Sequence, residues 1–257
     1  MKNMNKISLA IILLAAGFIS TQAQNNTGAA APAMTQEQRD TFRKAMEDQR
    51  RNDWANLARY KEDNATVGLP AKGESRVIFM GNSITDFWIR FSPEFFKGKP
   101  YIDRGISGQT TPQMLIRFRQ DVVSLKPSVV VLLAGINDIN GNTGPSTLEM
   151  IEDNISSMTE IAQANNIKVV LSSVLPCDSI YSRPDLHPGE KVVLLNKWIK
   201  KYADDKKCVY LDYFPSLSDV KNGLKKEYTN DGLHPNKAGY LIMEPLAEAA
   251  IKKALGK

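Results

Sequence analysis

Histidine and cysteine are scarce, two of each in 257 residues. Two histidines exclude a His-rich metal site. Cys177 and Cys208 are too few for a disulfide scaffold or a cysteine-built zinc site. No apolar run reaches the about 20 residues that a membrane helix requires. A formal charge of only +5, with no dense Lys/Arg stripe, argues against a nucleic-acid-binding surface. Disorder, collagen and coiled coil are poor descriptions of a chain that is 42% apolar and 24% charged. What remains is a soluble globular chain whose length suits one α/β domain or two small ones. Any hydroxyl nucleophile in it must take its imidazole partner from His187 or His234.

The first segment reads as an address. Lys2 and Lys6 precede the apolar run Ile7 to Ile19, and Thr21-Gln22-Ala23 offers a small-residue cleavage site. Residues 1–24 are therefore expected to be a signal peptide, with an uncleaved anchor as the alternative, and the protein to be exported, periplasmic or extracellular. No stable membrane insertion is expected after cleavage. Residues 25–34 (NNTGAAAPAM) read as a linker, and residues 35–70 as an N-terminal helical extension ahead of a domain at 71–257. A polar helix is expected at 35–62, with Thr35 as its N-cap and a sparse apolar face of Phe42, Met46, Trp54 and Leu57. Export would bring the cysteines into an oxidising compartment. However, Cys177 closes one strand-like run and Cys208 opens the next. In neighbouring parallel strands they would lie at opposite ends, about 17–20 Å apart, beyond the about 7 Å a disulfide allows. Two unpaired thiols are expected.

Strand-like runs follow at Arg76–Met80, Pro100–Arg104, Ser128–Ala134, Lys168–Leu175 and Cys208–Phe214. They are rich in Val, Ile and Leu without strict alternation, as in strands buried on both faces. Helix-like stretches fall at about 111–125, 147–165, 188–204 and 236–255, and the connection through Phe87, Trp88 and Phe91 is shorter and less regular. Strands alternating with helices predict a parallel sheet covered on both sides. Ligands of such sheets bind beyond the carboxyl ends of the strands.

The residues at those ends are chemically suggestive. Gly81-Asn82-Ser83 follows the first run, and a helix beginning at Ser83 would set backbone N–H groups beside its hydroxyl. Ile106-Ser107-Gly108-Gln109 follows the second, where Gly108 allows close backbone approach. Gly135-Ile136-Asn137-Asp138 follows the third, and an Asn amide there can donate to a developing oxyanion. Asp231-Gly232-Leu233-His234 precedes the last helix, with a spacing that can set a carboxylate against an imidazole. Taken singly, each block also reads as a turn, a cap or a structural His. Together they supply a nucleophile, an oriented base and donors for negative charge. His187 competes as the base, but sits two residues after Asp185 on a Pro-bracketed loop and reads as a rim residue.

Across residues 76–250 these blocks resemble the GDSL/SGNH hydrolase superfamily. The resemblance implies a three-layer α/β/α flavodoxin-like sandwich with a five-stranded parallel sheet. It implies a triad of Ser83, His234 and Asp231, an oxyanion hole of Ser83, Gly108 and Asn137, and no metal or organic cofactor. The family usually has Asp before the nucleophile, and here it is Asn82, which bears on acyl preference. The segment from Asp53 to Leu69 also looks like exported bacterial members associated with carbohydrate esters. The expected partner is thus a small-molecule or carbohydrate ester, with a short acyl group such as acetyl. Asn82, Trp88 and His187 are expected to contact it, although at least two of Phe87, Trp88 and Phe91 read rather as residues that pack the first connection. A lysophospholipase or thioesterase, a non-catalytic glycan-binding protein on the same fold, and acyl transfer to a sugar are the alternatives. Nothing in the sequence sets an oligomeric state.

Overall fold

The computed structural model describes residues 35–257, except the side chains of Phe42 and Met46. The expected signal peptide and linker lie outside the described residues. Two compact units divide at Leu57/Ala58. In the first, α1 (Gln36–Asn52) opens with a reciprocal capping box between Thr35 and Gln38. It stops ten residues short of the expected helix at 35–62. The Asp53 N–H closes it on Gln49 O, the Asp53 carboxylate takes the Leu57 N–H at 2.7 Å, and Asn56 turns left-handed at φ 54°. A second short helix, α2 (Lys61–Val67), belongs to the larger unit.

That unit is built on β1 (Val77–Gly81), β2 (Tyr101–Gly105), β3 (Val129–Leu133), β4 (Lys168–Ser172) and β5 (Val209–Leu211). All pairings are parallel and the spatial order is β2-β1-β3-β4-β5. This is the flavodoxin-like order, whose switch point lies between β1 and β3. Val77, Ile78, Phe79 and Met80 are all buried, as a central strand covered on both faces requires.

Each of the first four strands is followed by a crossover, and β5 by the last helices. The helix α3 (Ser83–Phe91) follows β1 and is regular, contrary to the expectation for that connection. Then come α4 (Thr111–Asp121), the short α5 (Ile136–Ile139), α6 (Leu148–Ala164), α7 (Gly189–Asp205), the short α8 (Phe214–Leu217) and α9 (Lys237–Leu255). On one face α3 and α9 pack against the sheet and each other. On the other, α6 lies between α4 and α7. No helix among the described residues is long and apolar enough to cross a membrane.

The last two strands are shorter than their apolar runs suggest. Beyond β4 the chain stays extended, but the Val174 N–H and C=O are bound by the Asn196 side chain of α7, at 2.7 and 2.9 Å. The ladder therefore ends although the apolar run continues. Beyond β5, the Asp212 carboxylate accepts the Phe214 N–H at 3.2 Å and the chain turns into α8. Cys177 lies past the end of β4 and is buried, Cys208 lies just before β5, and both are free.

Candidate active site

Ser83 is the first residue of α3, at the carboxyl end of β1. The Asn82 carboxamide oxygen caps that helix, accepting the Ile84 N–H at 3.0 Å. The helix can start so close to the sheet because two strand ends lack side chains. A Cβ on Gly81 would lie 2.0 Å from Thr85 Oγ1, and one on Gly105 would lie 2.0 Å from the Asp86 nitrogen. The first turn of α3 is thereby seated on the ends of β1 and β2.

From the other end of the domain, the loop before α9 supplies an imidazole. Ser83 Oγ and His234 Nε2 are 2.8 Å apart, and His234 Nδ1 lies 2.6 Å from Asp231 Oδ2. The second Asp231 oxygen accepts the backbone N–H groups of Leu233 and His234 at 2.9 and 2.8 Å. Burial works to raise the Asp231 carboxyl. It is outweighed by the hydrogen bonds from the His234 imidazole and these two amides, so the group is held well below the usual carboxylate range. Thr229 ties the loop together, donating its hydroxyl to the His234 carbonyl at 2.8 Å and accepting the Gly232 N–H at 3.0 Å. On its other side the imidazole meets the Phe87 ring, centroid to centroid 5.2 Å.

Two further blocks meet beside this relay. Gly108 is exposed at the turn after β2, with φ 79°, a left-handed conformation that favours glycine. Asn137 sits at the start of α5, buried, and donates its side-chain N–H to the Gln109 carbonyl at 2.9 Å. Asp138 reaches across to α4, accepting the Thr111 N–H at 2.9 Å and the Thr111 hydroxyl at 2.6 Å. Burial, against these hydrogen bonds, raises the Asp138 carboxyl to about 6.

Beneath these loops runs a buried polar layer that periodicity reveals only in part. Asp86, one turn into α3, accepts from the Ser107 hydroxyl at 2.5 Å and from its N–H at 3.2 Å. Arg117 of α4 is completely buried. It donates to Gln109 Oε1 at 2.5 Å, to the Gly81 carbonyl at 3.0 Å and to Asp121 at 3.0 Å. One signal in the sequence pointed to it: Arg117 and Asp121 lie on the same stripe of α4 as Met114 and Phe118, where a charge is out of place. Thr229 had a comparable signal, a hydroxyl two residues before an Asp in a turn. Among the described residues no group of three or more His, Cys, Asp or Glu is placed to hold a metal ion.

Two of the three expected substrate contacts, Trp88 and Asn82, are corrected. Trp88 is 2% exposed, stacked on Phe95 at 4.8 Å and packed edge-on to Phe79 at 5.6 Å. Four residues along a helix return to the same face and five do not. Phe87 therefore shares the face of Ser83, and Trp88 turns into the core. Asn82 is fully buried, its side chain folded back as the cap of α3. His187, expected at the rim, is exposed on the loop after β4, and the imidazole that meets Ser83 is that of His234.

Residues 79–242, well over half of the chain, match the model of the GDSL-like lipase/acylhydrolase family. No curated protein matches. Among solved structures, a protein from Bacteroides fragilis assigned as an acylhydrolase is 46% identical, over 79% of this chain and 99% of its own, with a TM-score of 0.77. A GDSL-like lipase from Bacteroides thetaiotaomicron is also 46% identical, over 79% of this chain and all of its own, with a TM-score of 0.76. An acetyl xylan esterase, AlAXEase, is 25% identical over 68% of this chain and 98% of its own, with a TM-score of 0.59. With its five-stranded parallel sheet and serine at the first strand end, the chain belongs to the GDSL-like lipase/acylhydrolase family of serine ester hydrolases.

Proposed function

We propose that Ser83, His234 and Asp231 are the catalytic triad of an exported esterase that removes short acyl groups, acetyl first among them, from carbohydrate hydroxyls. The observation that carries this reading is the unbroken series Ser83 Oγ–His234 Nε2–Asp231, at 2.8 and 2.6 Å. Ser83 Oγ attacks the ester carbonyl as its proton passes to His234 Nε2, and Asp231 holds the ring and stabilises the imidazolium. The tetrahedral oxyanion is received by the N–H of Ser83, the N–H of Gly108 and the second N–H of the Asn137 amide. His234 then returns the proton to the departing alcohol oxygen. Water, deprotonated by the same imidazole, opens the acyl-enzyme, releases the carboxylic acid and restores the serine.

The choice of substrate rests on the residues around the site and on likeness to a solved esterase. The exposed rim beside Gly108 is small and polar: Ser107, Asn142 and Thr143. Asn142 donates to the Gly108 carbonyl at 3.2 Å, and Thr143 meets Thr110 at 3.0 Å. Such a rim suits a short acyl group better than a long chain. Beside the imidazole, Phe87 and the exposed Phe91 lie 6.4 Å apart, with the Arg90 guanidinium 5.3 Å over the Phe87 ring, an aromatic edge with donors for sugar hydroxyls. The likeness to an acetyl xylan esterase favours the same class. Export rests on the basic start and the apolar run within residues 1–24.

The test is direct. Ser83→Ala is expected to abolish hydrolysis of p-nitrophenyl acetate in folded protein, and fluorophosphonate labelling with it. Unchanged turnover would remove the assignment. The wild type is expected to prefer the acetate to the octanoate ester and to release acetate from acetylated oligosaccharides. A preference for octanoate would move the reading to lipid or thioester substrates.

A further inference from the structure

We infer that Arg117 and Gln109, both buried beneath the site, are positioning residues that set the spacing of the oxyanion-binding groups. This inference rests on the proposed reading of Ser83 as nucleophile, with the oxyanion assigned to Ser83, Gly108 and Asn137.

Those three groups come from three separate strand ends, and parallel strands alone do not fix how their loops approach one another. Gln109 is where they meet. The N–H that would receive the oxyanion belongs to the residue just before it. Its carbonyl accepts the Asn137 side chain at 2.9 Å, orienting that amide. Its own side chain is buried and accepts from Arg117 Nε at 2.5 Å. A second nitrogen of the same guanidinium donates to the carbonyl of Gly81, two residues before Ser83, at 3.0 Å. That carbonyl also receives the Ile106 N–H at 3.1 Å, from the start of the Gly108 turn. A single rigid plane thus spans the nucleophile strand and the glycine turn, and through Gln109 reaches the asparagine. The remaining end of the guanidinium is fixed by Asp121 at 3.0 Å, an ion pair with both side chains essentially inaccessible. A planar fork with donors at fixed angles suits this task, and a lysine, as a point charge on a flexible stem, does not.

This arrangement separates binding from rate. Substrate would still enter the site if the fork were lost, but the donors would no longer converge where the oxyanion forms. A misplacement of about 1 Å costs about a hundredfold in rate.

The test uses p-nitrophenyl acetate with Gln109→Ala, Gln109→Glu, Arg117→Lys and Ser83→Ala, each checked for folding by circular dichroism. Gln109→Ala is expected to lower kcat about tenfold to a hundredfold with KM within about twofold. Gln109→Glu keeps an acceptor for the guanidinium and is expected to retain most of kcat. Arg117→Lys is expected to fall with Gln109→Ala, because charge without the fork does not hold both carbonyl and amide. If Arg117→Lys does not fold, the two Gln109 variants decide the matter. Folded Gln109→Ala with wild-type kcat, or Gln109→Ala and Gln109→Glu equally impaired, would overturn the inference. In either case loss of activity in Ser83→Ala would leave the triad standing, whereas active Ser83→Ala would show that the underlying assignment had failed.

Discussion

Asp231 is an unusual carboxylate for its exposure. Its side chain is 45% accessible, yet its oxygens hold the His234 ring and two backbone amides. Because its native pKa is depressed, the stability it contributes is complete above the ordinary carboxylate value. It is lost only as pH falls below about 4 toward the native value. Acid loss of activity above that point therefore has another origin. Asp231→Asn preserves an oxygen for the Leu233 and His234 amides but presents an NH2 group to Nδ1. The imidazole is then held in the wrong tautomer, and kcat is expected to fall about 10⁴-fold while the fold persists. Steady-state kinetics beside a thermal melt would check both halves. Ser83, Asp231 and His234 were legible because each belongs to a short block whose residue types have few other joint uses. Asp86 and Gln109 were not, since a polar residue on a helix or in a turn looks solvated until the fold buries it, and Arg117 was marked only by its place on an apolar stripe. Trp88 was misread for the complementary reason: its neighbour Phe87, on the serine face of α3, is the aromatic that meets His234.

At the scale of elements, the start of α3 depends on what the strands omit. Gly105 has no alternative close at hand, since the nearest atoms to an added Cβ are backbone atoms of Thr85 and Asp86, which cannot rotate away. Gly105→Ala should push the first turn of α3 outward and break the 2.8 Å contact of Ser83 with His234. Such overpacking costs about 1–3 kcal/mol. The expected result is a folded protein with a lower melting temperature and kcat reduced at least tenfold, measured on p-nitrophenyl acetate. The number and kind of strands were readable from runs of Val, Ile and Leu, whereas their ends were not. Asn196 terminates the β4 ladder from a helix 22 residues further along the chain, and no local pattern announces that. The break after Asn52 in the expected N-terminal helix is set by the Asp53 carboxylate closing a turn, a choice that helical propensity alone does not make.

In the larger unit as a whole, two buried carboxylates give folding a pH dependence opposite to the usual one. Burial, with the nearby charge of Asp86 adding to it and the Gly105 N–H opposing it, raises Asp103 to about 7, and Asp138 is raised to about 6. Their native values lie above the ordinary value of 3.8, so the folded state binds protons more tightly than the unfolded chain. Their contribution falls as pH rises from about 4 to about 7 and is lowest above that. The melting temperature is therefore expected to be higher at pH 5 than at pH 8, and Asp103→Asn should flatten that slope. A slope unchanged in the variant would show that Asp103 is not its source.

The two partners of the serine–imidazole contact are separated by 151 positions along the chain. Under the proposed mechanism, hydrolytic competence is thus a property of the finished polypeptide: during synthesis the serine emerges long before the imidazole assigned as its base. Activity regained on refolding would report closure of the molecule from end to end, a more demanding criterion than recovery of helix or sheet.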